Sequence, residues 1–360
     1  MVRTSGRLIT SVLSVLCSVA IGHAADYPAP VEGTFVVRDF QFTSGETLPE
    51  LRLHYRTIGE PRPDADGVVR NAVLVMHGTT GSSRNFLRDD FAGELFGPGQ
   101  LLDASRYFIV MPDAIGHGGS SKPSDGLRGR FPKYGYRDIV TAQYRLVTEG
   151  LGIGRLRLVM GTSMGGMHTW VWGQTYPDFV DALMPLASLP TEIAGRNRVW
   201  RKLAMDAIVT DPDWQGGDYG AQPRGLRFAA GVMALMSSNP ILRQGEWPSR
   251  EAADRGLDEY QASFLRTADA NDVLYAIQAS WDYDPRSGLG RIAAPLVAVN
   301  FADDLINPPE LGILEREVAK VPRGRAVTVP LSEATRGHSS HTIARLWLEE
   351  LAALLEVSKR

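Results

Sequence analysis

The chain is nearly without cysteine: of its 360 residues only Cys17 is one, and it falls within the first 25. A protein cut behind that stretch would hold no cysteine, which excludes disulfides and a thiol nucleophile and suits an oxidising compartment. Charge of one sign is missing as well. With 38 Lys plus Arg against 41 Asp plus Glu the net charge is -3, so there is neither the basic footprint of a nucleic-acid binder nor a strongly acidic character. No nucleic-acid partner is implied. Repeats and low-complexity tracts do not stand out, and neither G-x-G-x-x-G nor G-K-[ST] is present to suggest phosphate or cofactor binding. One long apolar run stands at the start, residues 8–21, behind Arg3 and Arg7 and ahead of Gly22-His23-Ala24. A basic start, an apolar middle and small residues at the peptidase positions are the marks of a cleaved secretory signal over residues 1–25. The expectation is a periplasmic or secreted protein with no stable membrane span after processing.

What remains is ordinary in composition, 44% hydrophobic and 22% charged, and long enough for one large α/β domain with an insertion. Its centre is LRLVMGTSMGGMHTW, from Leu156 to Trp170. A run of strand formers stops at Gly161, Ser163 sits between Gly161 and Gly165, and a helical pattern follows. In this G-x-S-x-G elbow a serine is held on a sharp strand-to-helix turn, and the flanking glycines avoid collision with neighbouring backbone. The turn lifts the hydroxyl clear of a sheet and aims the Met164 amide at the same space, beside a helix N-terminus that favours developing negative charge.

Residues 35–42 and 51–58 alternate as strands around Ser44-Gly45-Glu46 and predict an antiparallel edge hairpin. Residues 72–76 and 107–111 are short continuous apolar runs, as in strands buried on both faces. The first leads into His77-Gly78-Thr79-Thr80-Gly81, where small residues let backbone approach a reacting oxygen; by position the Thr79 amide is the second oxyanion donor. His77 reads as a structural histidine under that loop. Asp113 and His117 leave the second strand but have no third ligand nearby, so no metal is expected. Residues 136–151 carry helical spacing. This alternation through residue 187 predicts a parallel sheet, the first part of a core over residues 26–187. Residues 188–285 instead show broken helical stretches with scattered Trp, read as a lid over the pocket, and strand character resumes at residues 295–300 for a second core part, 286–360.

A serine hydroxyl needs a base to take its proton and a carboxylate to orient that base. Of seven histidines, only His338 and His341 lie near the C-terminus, as the order Ser, acid, His requires. His338 follows strand 326–329 through a polar loop, whereas His341 is placed on a helix over 342–357. Strand 296–300 ends in Asp303-Asp304, and local pattern leaves either aspartate open as the acid.

Taken together, SMGGM after the elbow, Phe131-Pro132 with Asp138, Tyr176-Pro177-Asp178, DPDWQGGDY from Asp211, Gly225-Leu226, DLINPP from Asp304, and Gly337-His338 resemble the homoserine O-acetyltransferase branch of the α/β-hydrolase superfamily. The resemblance implies a mostly parallel central sheet with helices on both faces, a helical lid insertion, and a homodimer packed through the lid. It selects Asp304 as the acid and His338 as the base, and puts Thr79 at the oxyanion position. Acetyltransferases of this family hold their amino acid through an Arg and a Tyr seven residues apart and an Asp after the catalytic His. Here those positions are Ala230, Ser237 and Ser339, and each charge-assisted bond so lost is worth roughly 1.5 to 3 kcal/mol. Homoserine is therefore not the expected substrate. The expectation is a serine hydrolase acting on a small-molecule ester, thioester or lactone through Ser163, His338, Asp304 and the amides of Thr79 and Met164. Transfer of the acyl group to a hydroxyl acceptor is the alternative, and a non-catalytic scaffold is the third reading.

Overall fold

The computed structural model describes residues 26–359. The expected secretory signal and Cys17 lie outside the described residues. Eight strands form one sheet: β1 (Val31–Gln41), β2 (Thr47–Ile58), β3 (Ala72–Met76), β4 (Phe108–Pro112), β5 (Leu156–Thr162), β6 (Leu183–Leu186), β7 (Leu296–Phe301) and β8 (Gly324–Val329). Their spatial order is β1-β2-β4-β3-β5-β6-β7-β8. The β1–β2 hairpin and the β2–β4 pair are antiparallel, and every other pairing is parallel. This is the α/β-hydrolase fold, with the hairpin at one edge.

Burial on both faces explains the continuous apolar runs. Along β3, Leu74 and Met76 enter one core with Val159 of β5, while Val73 and Val75 enter the opposite core with Leu158 and Met160. Helices cover both faces. Of the ten α-helices among the described residues, α1 (Ala92–Leu95) and α10 (Leu348–Val357) contribute to the second core, and α2 (Tyr136–Arg145), α3 (Met164–Thr175) and α9 (Ile313–Val318) to the first. Between β6 and β7 the chain forms α4 (Gly195–Val209), α5 (Gly225–Ser237), α6 (Pro240–Glu246), α7 (Arg250–Leu265) and α8 (Ala270–Gln278), which carry a separate small core around Trp200, Ile208, Leu226 and Leu274.

Two helices differ from expectation. The one starting at Tyr136 changes to a π-helical turn over Leu146–Gly150. The helix expected from residue 342 begins only at Leu348, behind two short 3-10 turns. There the Thr342 hydroxyl donates to the Ser339 carbonyl and the Ser340 hydroxyl accepts from the Arg336 amide. Such local side-chain bonds compete with helical ones, so His341 sits in a turn.

Candidate active site

Ser163 stands between β5 and α3 with φ of 53° and ψ of -110°, a conformation that costs a non-glycine residue about 1–3 kcal/mol and persists only where its surroundings enforce it. Its amide donates to the Leu186 carbonyl at 2.9 Å and its carbonyl accepts from the Met167 amide at 2.9 Å. The glycines are needed for space. A Cβ at Gly161 would come within 2.2 Å of the Gly165 carbonyl oxygen, and one at Gly165 within 2.0 Å of the Met76 carbonyl oxygen. The close approach of α3 to the ends of β3 and β5 therefore admits no side chain at either position.

The ends of β7 and β8 bring the other two groups to this point. His338 Nε2 lies 2.7 Å from Ser163 Oγ, and His338 Nδ1 lies 2.8 Å from Asp304 Oδ2. Asp304 Oδ1 accepts the amides of Ile306 and Asn307 at 2.8 and 3.0 Å, and Oδ2 also accepts from Asn307 Nδ2 at 3.1 Å. Burial alone would raise this carboxyl, but the His338 imidazole and the Asn307 bonds outweigh it and hold it below its ordinary value. An ionised Asp304 can only accept, so His338 carries its proton on Nδ1 and leaves Nε2 free to accept from the serine hydroxyl.

The neighbouring Asp303 plays a structural part instead. Its Oδ2 accepts from Asn239 Nδ2 at 2.6 Å and the Gly337 amide at 2.9 Å, which ties the histidine loop to the start of α6. His341 lies beside His338, ring centroids 5.1 Å apart, and burial lowers it to about 3.

The loop after β3 passes directly over the serine. A Cβ built on Gly78 would lie 3.4 Å from the Ser163 Cβ, and Thr79 lines the same cavity as Ser163. Met164 is buried and opens α3, where first-turn amides have no partner within the helix. His77 supports this loop from below: its Nε2 accepts from the Ala114 amide at 3.0 Å, so its protonated Nδ1 donates to the Gly78 carbonyl at 2.8 Å. Asp113 is likewise occupied with structure. It accepts the amides of Ser83 and Gly119 at 2.6 and 2.9 Å and faces His54 Nδ1 at 2.8 Å.

The cavity above Ser163 measures about 190 Å³, and its walls include Met233, Met236 and Ser237 of α5 and Trp200 and Arg201 of α4. That is small beside the roughly 300–1,000 Å³ usual for ligand pockets. Ser237 and Ser339 both line it, and the Ser339 hydroxyl donates to the Ser237 carbonyl at 3.2 Å. Ala230 is buried within α5. Sequence reasoning missed Asn197 and Arg201, which also line the cavity, and Asn307. Arg201 lies on the buried stripe of α4 with Trp200, Ala204, Met205 and Ile208, a placement that only the packed structure reveals.

A serine on a strained strand-to-helix turn, met by a histidine and an aspartate from later strand ends of a mostly parallel sheet, defines an α/β-hydrolase-fold enzyme. Residues 71–230 match the α/β hydrolase fold family. A homoserine O-acetyltransferase of Pelobacter propionicus is 32% identical over 334 residues, covering 82% of this chain and 88% of that protein. Among solved structures, homoserine O-acetyltransferase from Bacillus anthracis superposes with a TM-score of 0.80 at 21% identity, over 91% of this chain and 98% of that one. The acetyl esterase MekB gives 0.77 at 24% identity, over 91% and 97%. The chain thus belongs to the α/β-hydrolase superfamily, in its homoserine O-acetyltransferase-like branch, and is an enzyme of the acyltransferase or esterase kind.

Proposed function

We propose that the protein is a serine hydrolase that cleaves a small ester, thioester or lactone through an acyl-enzyme. The observation that carries this reading is the hydrogen-bonded chain from Ser163 Oγ through His338 to Asp304, at 2.7 and 2.8 Å. Ser163 attacks the acyl carbon as His338 Nε2 takes its proton, and Asp304 stabilises the imidazolium that forms. The tetrahedral oxyanion is held by the amides of Thr79 and Met164. His338 returns the proton to the leaving group, and the same base then activates water against the acyl-enzyme.

Residues 188–285 serve as the lid, with the flanking segments 26–187 and 286–360 as the core. Hydrolysis is favoured over transfer because Ala230 and Ser237 in the lid, and Ser339 after His338, stand where acetyltransferases of this branch bind an amino-acid acceptor. The second reading, transfer to a hydroxyl acceptor, is supported by the names of relatives at 32% identity. Product analysis with added alcohols separates the two. Free acid as the main product despite an acceptor supports hydrolysis, and acyl transfer at the expense of free acid overturns it.

Export rests on the pattern of residues 1–25 and is tested by finding the protein in the periplasm or medium with a shortened N-terminus; an intact cytoplasmic protein refutes it. A homodimer through the lid is supported by exposed apolar side chains there, Phe228, Leu235 and Ile241 at 55%, 71% and 65% exposure, since such surface marks sites of association.

A further inference from the structure

Arg201 is a cation in the catalytic cavity with no anion to match it. It is 2% exposed, and among the described residues it makes no ion pair. Its surroundings are neutral or like-charged. Asn197 Oδ1 accepts from Nε at 3.1 Å and shares itself with Trp200 Nε1 at 3.0 Å. The Trp200 ring lies under the guanidinium, 4.8 Å away. Burial pushes the guanidinium below the usual arginine value; the Tyr136 phenol, a hydrogen-bonding neighbour, opposes this in part, and Arg198 adds repulsion. Arginine nevertheless stays charged in proteins. Its Nη1 has no hydrogen-bond partner.

Burying an unpaired charge is strongly unfavourable unless a counter-ion arrives. The arrangement fits one. The Trp200 ring face and the Asn197 bond to Nε hold the guanidinium in place before any ligand comes. A planar fork whose Nη1 still lacks an acceptor matches a carboxylate. The cavity-lining residues include no second Lys or Arg, so the charge supplied is that for a monoanion and not for a phosphate dianion.

We propose that Arg201 forms a carboxylate subsite within the catalytic cavity, which makes the substrate class a small ester bearing a carboxylate. This rests on the hydrolase reading above. Because the cavity of about 190 Å³ contains both Ser163 and Arg201, the carboxylate and the scissile ester belong to one short molecule. Arg201 lies outside the three positions through which the family resemblance would bind an amino acid.

The test compares each of two carboxylate esters with its methyl ester: mono-4-nitrophenyl glutarate, charged on the acyl side, and 4-acetoxybenzoate, charged on the leaving side. The readout is the ratio of kcat/KM for the free carboxylate to that for its methyl ester, corrected for uncatalysed hydrolysis. A ratio cancels general damage to the protein. At least one pair is expected to show a ratio about tenfold or more above unity in the native enzyme, as one charge-assisted bond supplies. In Arg201→Gln that ratio falls about tenfold, and Arg201→Lys keeps part of it. A binding measurement needs no turnover: glutarate or benzoate should raise the Tm of Ser163→Ala and not that of Ser163→Ala with Arg201→Gln. Ratios at or below unity in both pairs, or a ratio unmoved by Arg201→Gln, overturn the proposal. Ser163-dependent hydrolysis of 4-nitrophenyl acetate in the same preparation keeps the two readings apart. With it, a negative result sinks the carboxylate subsite alone; without it, the hydrolase reading fails first.

Discussion

Replacing Asp304 by Asn should nearly abolish turnover, while the same change at Asp303 should not. Asp304 accepts four hydrogen bonds: two backbone amides on Oδ1, and His338 Nδ1 with Asn307 Nδ2 on Oδ2. An asparagine must turn its NH2 toward one of these pairs of donors. The backbone amides of Ile306 and Asn307 cannot turn away, so the NH2 takes the Oδ2 side and His338 is driven to the tautomer protonated on Nε2. That nitrogen can no longer accept the serine proton. Loss of the correct tautomer in a Ser-His-Asp triad lowers kcat by about 10⁴, or about 5 kcal/mol in activation free energy. Asp303 uses only Oδ2 as an acceptor, and its Oδ1 has no partner. Asp303→Asn therefore keeps an oxygen for Asn239 and Gly337, and the loss should stay within about tenfold. The assay is kcat/KM on 4-nitrophenyl acetate, with circular dichroism and Tm to exclude unfolding. A crippled Asp303→Asn beside an active Asp304→Asn would refute the assignment.

Gly165→Ala would bring its Cβ to 2.0 Å from the Met76 carbonyl oxygen, and should destabilise the fold by about 3 kcal/mol or more. Gly45→Ala, with φ of +89° and open space around it, should cost about 1 kcal/mol; equal losses in denaturant unfolding would remove the packing argument. His117 and His341 are both lowered to about 3 by burial. Unfolded, each titrates near 6.5, so the unfolded state binds more protons in the window from about 6.5 down to about 3. Stability should therefore fall with pH there, each histidine contributing about 1.4 kcal/mol per pH unit, and His117→Gln should flatten the slope measured between pH 7 and pH 5. An unchanged slope would contradict the buried neutral assignment. If the exposed apolar surface of Phe228, Leu235 and Ile241 mediates a homodimer, Leu235→Asp should shift the sedimentation coefficient from dimer to monomer, and a native monomer would end that reading.

The parts of the fold that are legible in the sequence are those where one local rule decides. β3 is buried on both faces, so its apolar run is unbroken, and the glycines around Ser163 mark the turn without any knowledge of the neighbours they avoid. Where long-range partners decide, sequence stops short. Asp303 and Asp304 are adjacent and chemically identical, and only the wrap of Ile306 and Asn307 around one of them turns it toward His338. The start of α10 lies later than the pattern suggests because the polar bonds of Ser340 and Thr342 compete with helix formation over residues that otherwise read as helical. Arg201 escapes a reading of the sequence because a charged residue on a buried stripe is visible only once the stripe is known to face a cavity.

The central claim is covalent chemistry at Ser163, and intact-mass spectrometry of the protein mixed with excess 4-nitrophenyl acetate and quenched in acid tests it most directly. The account predicts an acetyl adduct that maps to the peptide containing Ser163, decays in water to free acetate, and is absent from Ser163→Ala. Turnover that persists in Ser163→Ala, or an adduct on a different residue, would contradict it.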